Sequence, residues 1–421
     1  MNAREQRGLQ IAAVSKIEKT DKGFLVPSQT GKGLYLVNVG AKPACTCPDF
    51  VERQQPCKHI FAVEFSIRRE ENPDGTTTET RTMRVTYGQD WPSYNLAQVN
   101  EYPRFAVLLR ELCAGITQPQ QQGPGQRMLP ISDVLFGVIS KVYSTISARR
   151  FAGQLQEAVA KGLMAKAPSY NSGYRYLESP ALTPILKVMI EESATPLKAI
   201  ETKFAVDSSG FSTSVYSRWF DEKYGKVKTE QQWVTAHLMT GVLTNVVTSV
   251  EVTHAKGQDA PHFPGLVDTT ARMFRIDEVT ADKAYSSRRN LRAVNRYGGI
   301  AYIPFKDRTT GLGGHSRPYD PLWHRLWAYY MYNRQSFLEH YHKRSLSETT
   351  FSMLKRKFGG NVRSKTAVAQ ENEVLCKVLC HNICVLIAST FELGLEPQFW
   401  GTDNREAELP VAPQLMTALP S

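Results

Sequence analysis

The sequence predicts a mixed α/β fold: a mixed sheet flanked by helices, preceded by a small cysteine-bearing β+α module and a helical domain. Three observations lead there. Three of the seven cysteines crowd into residues 45–57 with His59 beside them. From about 98 to 200 apolar residues recur at three-to-four spacing. From about 202 three strand-like runs at close spacing give way to helix–strand alternation. The 421 residues are 42% hydrophobic and 10% aromatic, enough for a sizeable core and too apolar for wholesale disorder. Lys plus Arg number 51 against 40 acidic residues, a net charge of +11. That balance points to a polyanionic partner, with nucleic acid ahead of a membrane. No run approaches the roughly 18 apolar residues of a membrane span, and residues 1–14 lack the apolar core of a signal peptide. The expectation is a soluble, cytoplasmic chain with no membrane partner and no disulfide framework.

In chain order, LQIAAVSKI and GFLVPSQTGKGLYLVNV (residues 9–39) read as short strands broken by DKG and TGKG turns. KHIFAVEFSI reads as a helical turn or strand, and NPDGTTTETRT (72–82) as a polar linker. VNEYPRFAVLLRELCAGI, ISDVLFGVISKVYSTISARRFAGQLQEAVAKGLM and SPALTPILKVMIEESA read as helices, the first two separated by TQPQQQGPGQ. TKFAVDSSG, QQWVTAHLMTG and LTNVVTSVEVT read as strands, then a helix, DEVTADKAY as a strand, a helix, and GIAYIPF as a strand. A polar loop (306–320) leads into a helical stretch to about 358, and the proline-bearing end of the chain reads as a tail.

Cys45-Thr-Cys47, nine residues, then Cys57-Lys-His59 supplies four zinc ligands within 15 residues. Three thiolates and one imidazole complete a tetrahedral shell without water, which makes such a site structural and able to staple a module too small to hold itself. The arrangement resembles the SWIM zinc finger over residues 10–68, which implies binding to DNA or protein.

Asp207 follows FAV and Asp282 follows VTA, each before small, turn-prone residues. Carboxylates at strand ends can project into a cleft. In YHKRSLSETTFSMLKRKFG, Tyr341, Arg344, Glu348 and Lys355 stand at offsets 0, 3, 7 and 14. At 100° per residue all four fall within about 60° of one helical face, leaving Leu346, Phe351, Met353, Leu354 and Phe358 to pack the core. Tyr, two residues, Arg, three, Glu, six, Lys resembles the signature of bacterial insertion-sequence transposases with a DDE, RNase-H-like catalytic domain. The resemblance spans about residues 200–390.

It implies that Asp207, Asp282 and Glu348 form the acidic triad and that Tyr341, Arg344 and Lys355 contact DNA. It implies cleavage of transposon ends and their joining to target DNA, with double-stranded DNA as partner and a homodimer in the DNA complex. Converging carboxylates select Mg²⁺ or Mn²⁺, two of which can drive in-line displacement at phosphorus. Alternatives are a nuclease of the same triad without strand transfer, a non-catalytic DNA-binding protein, and a recombinase using Tyr341 as nucleophile. The domain division expected is a zinc module (1–72), a linker (73–97), a helical DNA-binding domain (98–200), an RNase-H-like catalytic domain (201–392) and a tail (393–421). The interval 306–330 is too short for the large insertion many such transposases carry before the Glu helix.

Other features carry less. Arg149, Arg150, Lys161 and Lys166 on helix-turn-helix-like units could face phosphates. Trp323, His324 and Trp327 lie before the Glu helix, where an aromatic could stack on an unpaired base or pack the core. Cys376, Cys380 and Cys384 recur every four residues on one buried helix face, with His381 pointing away, which argues against a metal there. QTGKGL lacks the spacing of a phosphate loop.

Overall fold

The computed structural model describes residues 15–28, 33–39, 42–71, 77–81, 90–118, 128–213, 233–254, 257–307, 309–311 and 318–401, with a few further positions near the N-terminus and within 214–232. The chain divides into two compact units, Met1–Gln89 and Asp90–Ser421.

The first unit is built on an antiparallel meander, β1 (Glu18–Thr20), β2 (Gly23–Pro27), β3 (Leu34–Asn38) and β4 (Ala44–Cys45). Alternation puts Phe24, Val26 and Val37 inward. Helix Lys58–Ser66 covers them with Ile60, Ala62 and Val63. Two expectations are corrected. Residues 7–8 and 11–12 are helical where LQIAAVSKI suggested a strand, and Ile11 is buried in this small core. The supposed linker contains β6 (Thr77–Arg81), which pairs antiparallel with β5 (Ile67–Glu71). Three β-branched Thr in TTETR favour a strand once a partner is available, whatever its polarity.

The second unit centres on a five-stranded sheet of order β11-β10-β7-β8-β9. Its strands are β7 (Lys203–Ser212), β8 (Trp233–Gly241), β9 (Val247–Thr253), β10 (Glu278–Ala281) and β11 (Ile300–Tyr302). β7, β8 and β9 run antiparallel, while β10 and β11 are parallel to β7. This is the mixed sheet expected, three antiparallel strands followed by helical crossovers. Helices Trp91–Val99, Glu101–Ala114, Ile131–Ser144, Ala148–Ala160, Tyr170–Leu177 and Leu182–Ala194 supply the helical region, and their apolar faces share one continuous core with the sheet.

Helix Ala367–Leu393 joins those two parts. Among the described residues it is the one helix long and apolar enough to cross a membrane, although no such run was expected from the sequence. Its polar positions escape that expectation because they are buried with partners: Asn382 accepts from Val247 N (2.8 Å) and donates to Val247 O (2.7 Å) and Ser193 Oγ (2.9 Å). The helix starts at Thr366, whose hydroxyl caps Ala369 N, and stops at Gly394 in the left-handed region. Beyond it, part of the expected tail is ordered structure: Trp400 Nε1 donates to Leu112 O (3.0 Å) and the ring packs against Gly115. Residues 402–421 lie outside the described residues.

Candidate active site and metal centre

The N-terminal cluster is compact. One ligand atom from each of Cys45, Cys47, Cys57 and His59 lies within 4.8 Å of every other, and all four residues are buried. Cys45 closes β4, Cys47 caps helix Pro48–Arg53, and His59 opens helix Lys58–Ser66, so strand and helix ends bring the pairs together. His59 Nδ1 stands 3.9 Å from both Cys45 Sγ and Cys57 Sγ. Ligands 2.1–2.3 Å from a tetrahedral zinc sit about 3.5–3.8 Å apart, so the residues fit that ion. The Cys45 thiol hydrogen-bonds Cys57 and holds its thiol down at about 3, against the cost of burial. Among the described residues this is the one such group of three or more, so Cys376, Cys380 and Cys384 form no comparable site. His381 is itself buried, its Nε2 2.9 Å from Asn245 O.

The carboxylates sit where the sheet steps down. Asp207 is not at a strand end: it is the fifth residue of ten-residue β7, which continues to Ser212. The strand that ends is β10, whose last pair is Ala281 with Val206. Asp282 is the next residue, so it emerges beside Asp207 at the edge where β10 stops covering β7. There it caps the turn Lys283–Tyr285. Asp207 Oδ1 accepts from Ser208 N (2.9 Å), and burial raises its carboxyl above the ordinary range.

The third carboxylate comes from helix Ser345–Phe358. The single continuous helical face expected for Tyr341 to Lys355 is interrupted: Tyr341 ends helix Arg334–Tyr341, and His342–Arg344 form a 3₁₀ turn before Glu348 and Lys355. The turn is tied to the sheet, by Lys343 to Glu278 (2.8 Å) and by Arg344 to Asp207 (3.6 Å). Arg344 also reaches Glu348 Oε1 at 2.6 Å, so one guanidinium bridges two of the three acids. Lys355 Nζ donates to Ser209 Oγ (2.6 Å) on β7, and burial lowers its ammonium below the usual range. Tyr341 is half-buried, its ring against His342. Phe351, Leu354 and Phe358 are buried as expected, but Met353 is exposed.

Sequence reasoning missed the layer beneath Asp207. Ser347 Oγ donates toward Asp207 Oδ2 (3.3 Å), and Ser208 Oγ donates to Asp259 (2.9 Å). Asp259 faces His237 Nδ1 at 3.6 Å, and His237 stacks on His262. His237 sits opposite Ser208 in the β7–β8 register, a relation that strand pairing alone reveals. Trp323 and Trp327 are helical, within Pro321–Tyr332, and donate to Thr310 O and Thr309 O. Their edges are engaged and they pack on the core, not in an open loop.

Residues 198–383 match the Transposase DDE domain family, and residues 35–67 match the SWIM zinc finger family. The first of these spans begins just before β7, runs into the long helix and contains Asp207, Asp282 and Glu348. The "Probable transposase for insertion sequence element ISA1214" of Archaeoglobus fulgidus is 31% identical over 109 residues, 26% of this chain and 31% of that protein. The chain thus matches about a third of that relative's length. A piggyBac transposase synaptic complex with hairpin DNA aligns with 72% of this chain and 78% of the other, at 10% identity and a TM-score of 0.36, too loose to bear on function. The segment that matches the DDE domain family contains the catalytic candidates, and the segment that matches the SWIM zinc finger family contains the Cys₃His cluster.

Proposed function

We propose that the chain is a DNA transposase that cleaves the ends of its element and joins them to target DNA. The observation that supports this most is the edge where β10 ends: Asp282 and Asp207 each directly follow the last β10–β7 pair, and Arg344 links Asp207 to Glu348. Oxygen-only donors suit Mg²⁺ or Mn²⁺, so Asp207, Asp282 and Glu348 would hold the metal. Bound there, it supplies Lewis acidity for displacement at phosphorus and activates water or a 3′-hydroxyl.

The chain's own residues do the rest. Arg344 pairs with Asp207 and Glu348 in this structure, and its guanidinium would be available to a DNA phosphate if those acids held a cation. Lys355, beside Ser209, holds the strand along β7, while Ser347 and Ser208 steady the Asp207 carboxylate. Tyr341, at the end of the preceding helix, contacts DNA from there. Cys45, Cys47, Cys57 and His59 hold zinc in a closed shell whose role is structural. Two copies acting together on double-stranded DNA would handle two element ends at once. An end-labelled duplex carrying the element's terminus tests the reading: Mg²⁺-dependent nicking followed by joining of the 3′-end to a second duplex is expected. Hydrolysis without joining would replace it with a nuclease.

A further inference from the structure

A second cluster of charge lies beyond the far end of β7. A cavity of about 230 Å³ is bounded by helix Ile131–Ser144, the C-terminal turn of the Glu348 helix, the following loop and helix Ala367–Leu393. Four cations line it, Lys141, Lys357, Arg363 and Lys377, against one acid, Glu373.

The acid does not neutralise the pocket, because it is committed elsewhere. Glu373 accepts from Arg363 N, Ser364 N and Ser364 Oγ at 2.8–3.1 Å, which pins the loop backbone. Lys377 is buried, donates to Gly359 O (3.1 Å) and Asn361 O (2.5 Å), and stands 3.8 Å from Glu373. Lys357 pairs with Glu101. Lys141 Nζ and the Arg363 guanidinium, by contrast, make no hydrogen bond or ion pair among the described residues. Burial pushes the Lys377 ammonium down to about 8 and lowers that of Lys141 too. Cations gathered at such a cost, with two left unpaired, suit an anion that enters from outside.

We propose that this cavity seats a backbone phosphate of the DNA strand, with Arg363 and Lys141 as the direct contacts and Lys377 as the charge behind them. The proposal rests on the transposase reading, and its location fits that reading. The pocket loop is bonded to the end of β7, Ser212 N to Gly360 O (3.0 Å) and Val362 N to Ser212 O (2.9 Å). Lys355 and Lys377 each lie 5.4 Å from the buried Phe211 ring near the end of β7, so the cavity sits one side chain away from the lysine beside Ser209. Five residues of strand separate Asp207 from Ser212, about 17 Å, or roughly five base steps along a duplex axis. A phosphate seated there fixes how far the strand extends past the bond that is cut, without reading its bases.

The test uses the full-length protein with Mg²⁺ omitted, not chelated, so that the zinc module stays loaded. Duplex binding is followed by fluorescence anisotropy from about 50 to 200 mM salt. Arg363→Gln and Lys141→Met should each lower the slope of log affinity against log salt by about one, equally for element-end and unrelated duplexes. Arg272→Gln, at an exposed arginine outside the cavity, should leave the slope unchanged. Arg363 is exposed, so its variant keeps the test sound if the Lys141 variant misfolds. Unchanged slopes in a folded Arg363→Gln protein overturn the proposal. So does inorganic phosphate that binds the parent at constant ionic strength, is lost in the variants, and leaves their DNA slopes unaltered, which assigns the cavity to a free anion. A parent protein that binds no duplex removes the transposase reading itself, and this pocket with it.

Discussion

Arg344 ties two of the candidate acids together. In a helix its position four before Glu348 makes an ordinary exposed pair, worth a few tenths of a kcal/mol. Here the same guanidinium also faces Asp207, from a strand more than a hundred residues away. Two acids without a bound cation would repel, and Arg344 offsets that. Arg344→Ala and Lys355→Ala should therefore cut Mg²⁺-dependent cleavage on the order of 10²-fold while leaving metal affinity intact or raised for Arg344→Ala. Metal titration followed by cleavage kinetics separates the two effects. Asp268→Asn and Asp277→Asn serve as controls, since those acids pair with Arg296 and Arg275 away from the carboxylate edge, and should keep near-parental activity. The candidate residues could be picked from the sequence because the Tyr-Arg-Glu-Lys spacing and the two Asp residues after apolar runs survive in one dimension. The Ser208–Asp259–His237 layer was not, because it depends on which residue of β8 faces which residue of β7.

Elements were read well where the period was strong and misread where tertiary pairing decided. The β7–β9 meander and the long helices followed their patterns. The face calculation for residues 341–355 assumed one helix, but Lys343 and Arg344 reach down to the sheet and the chain tightens to a 3₁₀ turn. Glu278 anchors that arrangement, bound to Lys203, Lys343 and His340. Burial alone would raise its carboxyl, but these hydrogen bonds outweigh burial and hold it at about 2, below the ordinary 4.5. A carboxyl lowered on folding adds stability that is complete above about pH 4.5 and is lost as pH falls toward 2. Glu278→Gln should lower stability at neutral pH by on the order of 2 kcal/mol and flatten the acid limb of a denaturation profile between those pH values. In the first unit the cluster binds β4 to two helices, so Cys57→Ser should release zinc, measured by elemental analysis, and melt residues 18–66 while the DDE domain keeps its own transition.

At the scale of the whole molecule, the helices of residues 91–194 share the core of the sheet, joined by Asn382 and closed by Trp400. The sequence suggested a separate helical domain because apolar periodicity changes at about 200, and periodicity does not report which faces meet. The central claim is that Asp207, Asp282 and Glu348 act together on phosphorus, and one comparison tests it most directly. Parent, Asp207→Asn, Asp282→Asn and Glu348→Gln proteins are given element-end duplex and Mg²⁺, and binding, nicking and strand joining are measured side by side. Each amide should bind DNA as well as the parent or better and lose nicking and joining together, by at least about 10³-fold. Near-parental cleavage by the Glu348→Gln protein would contradict the account.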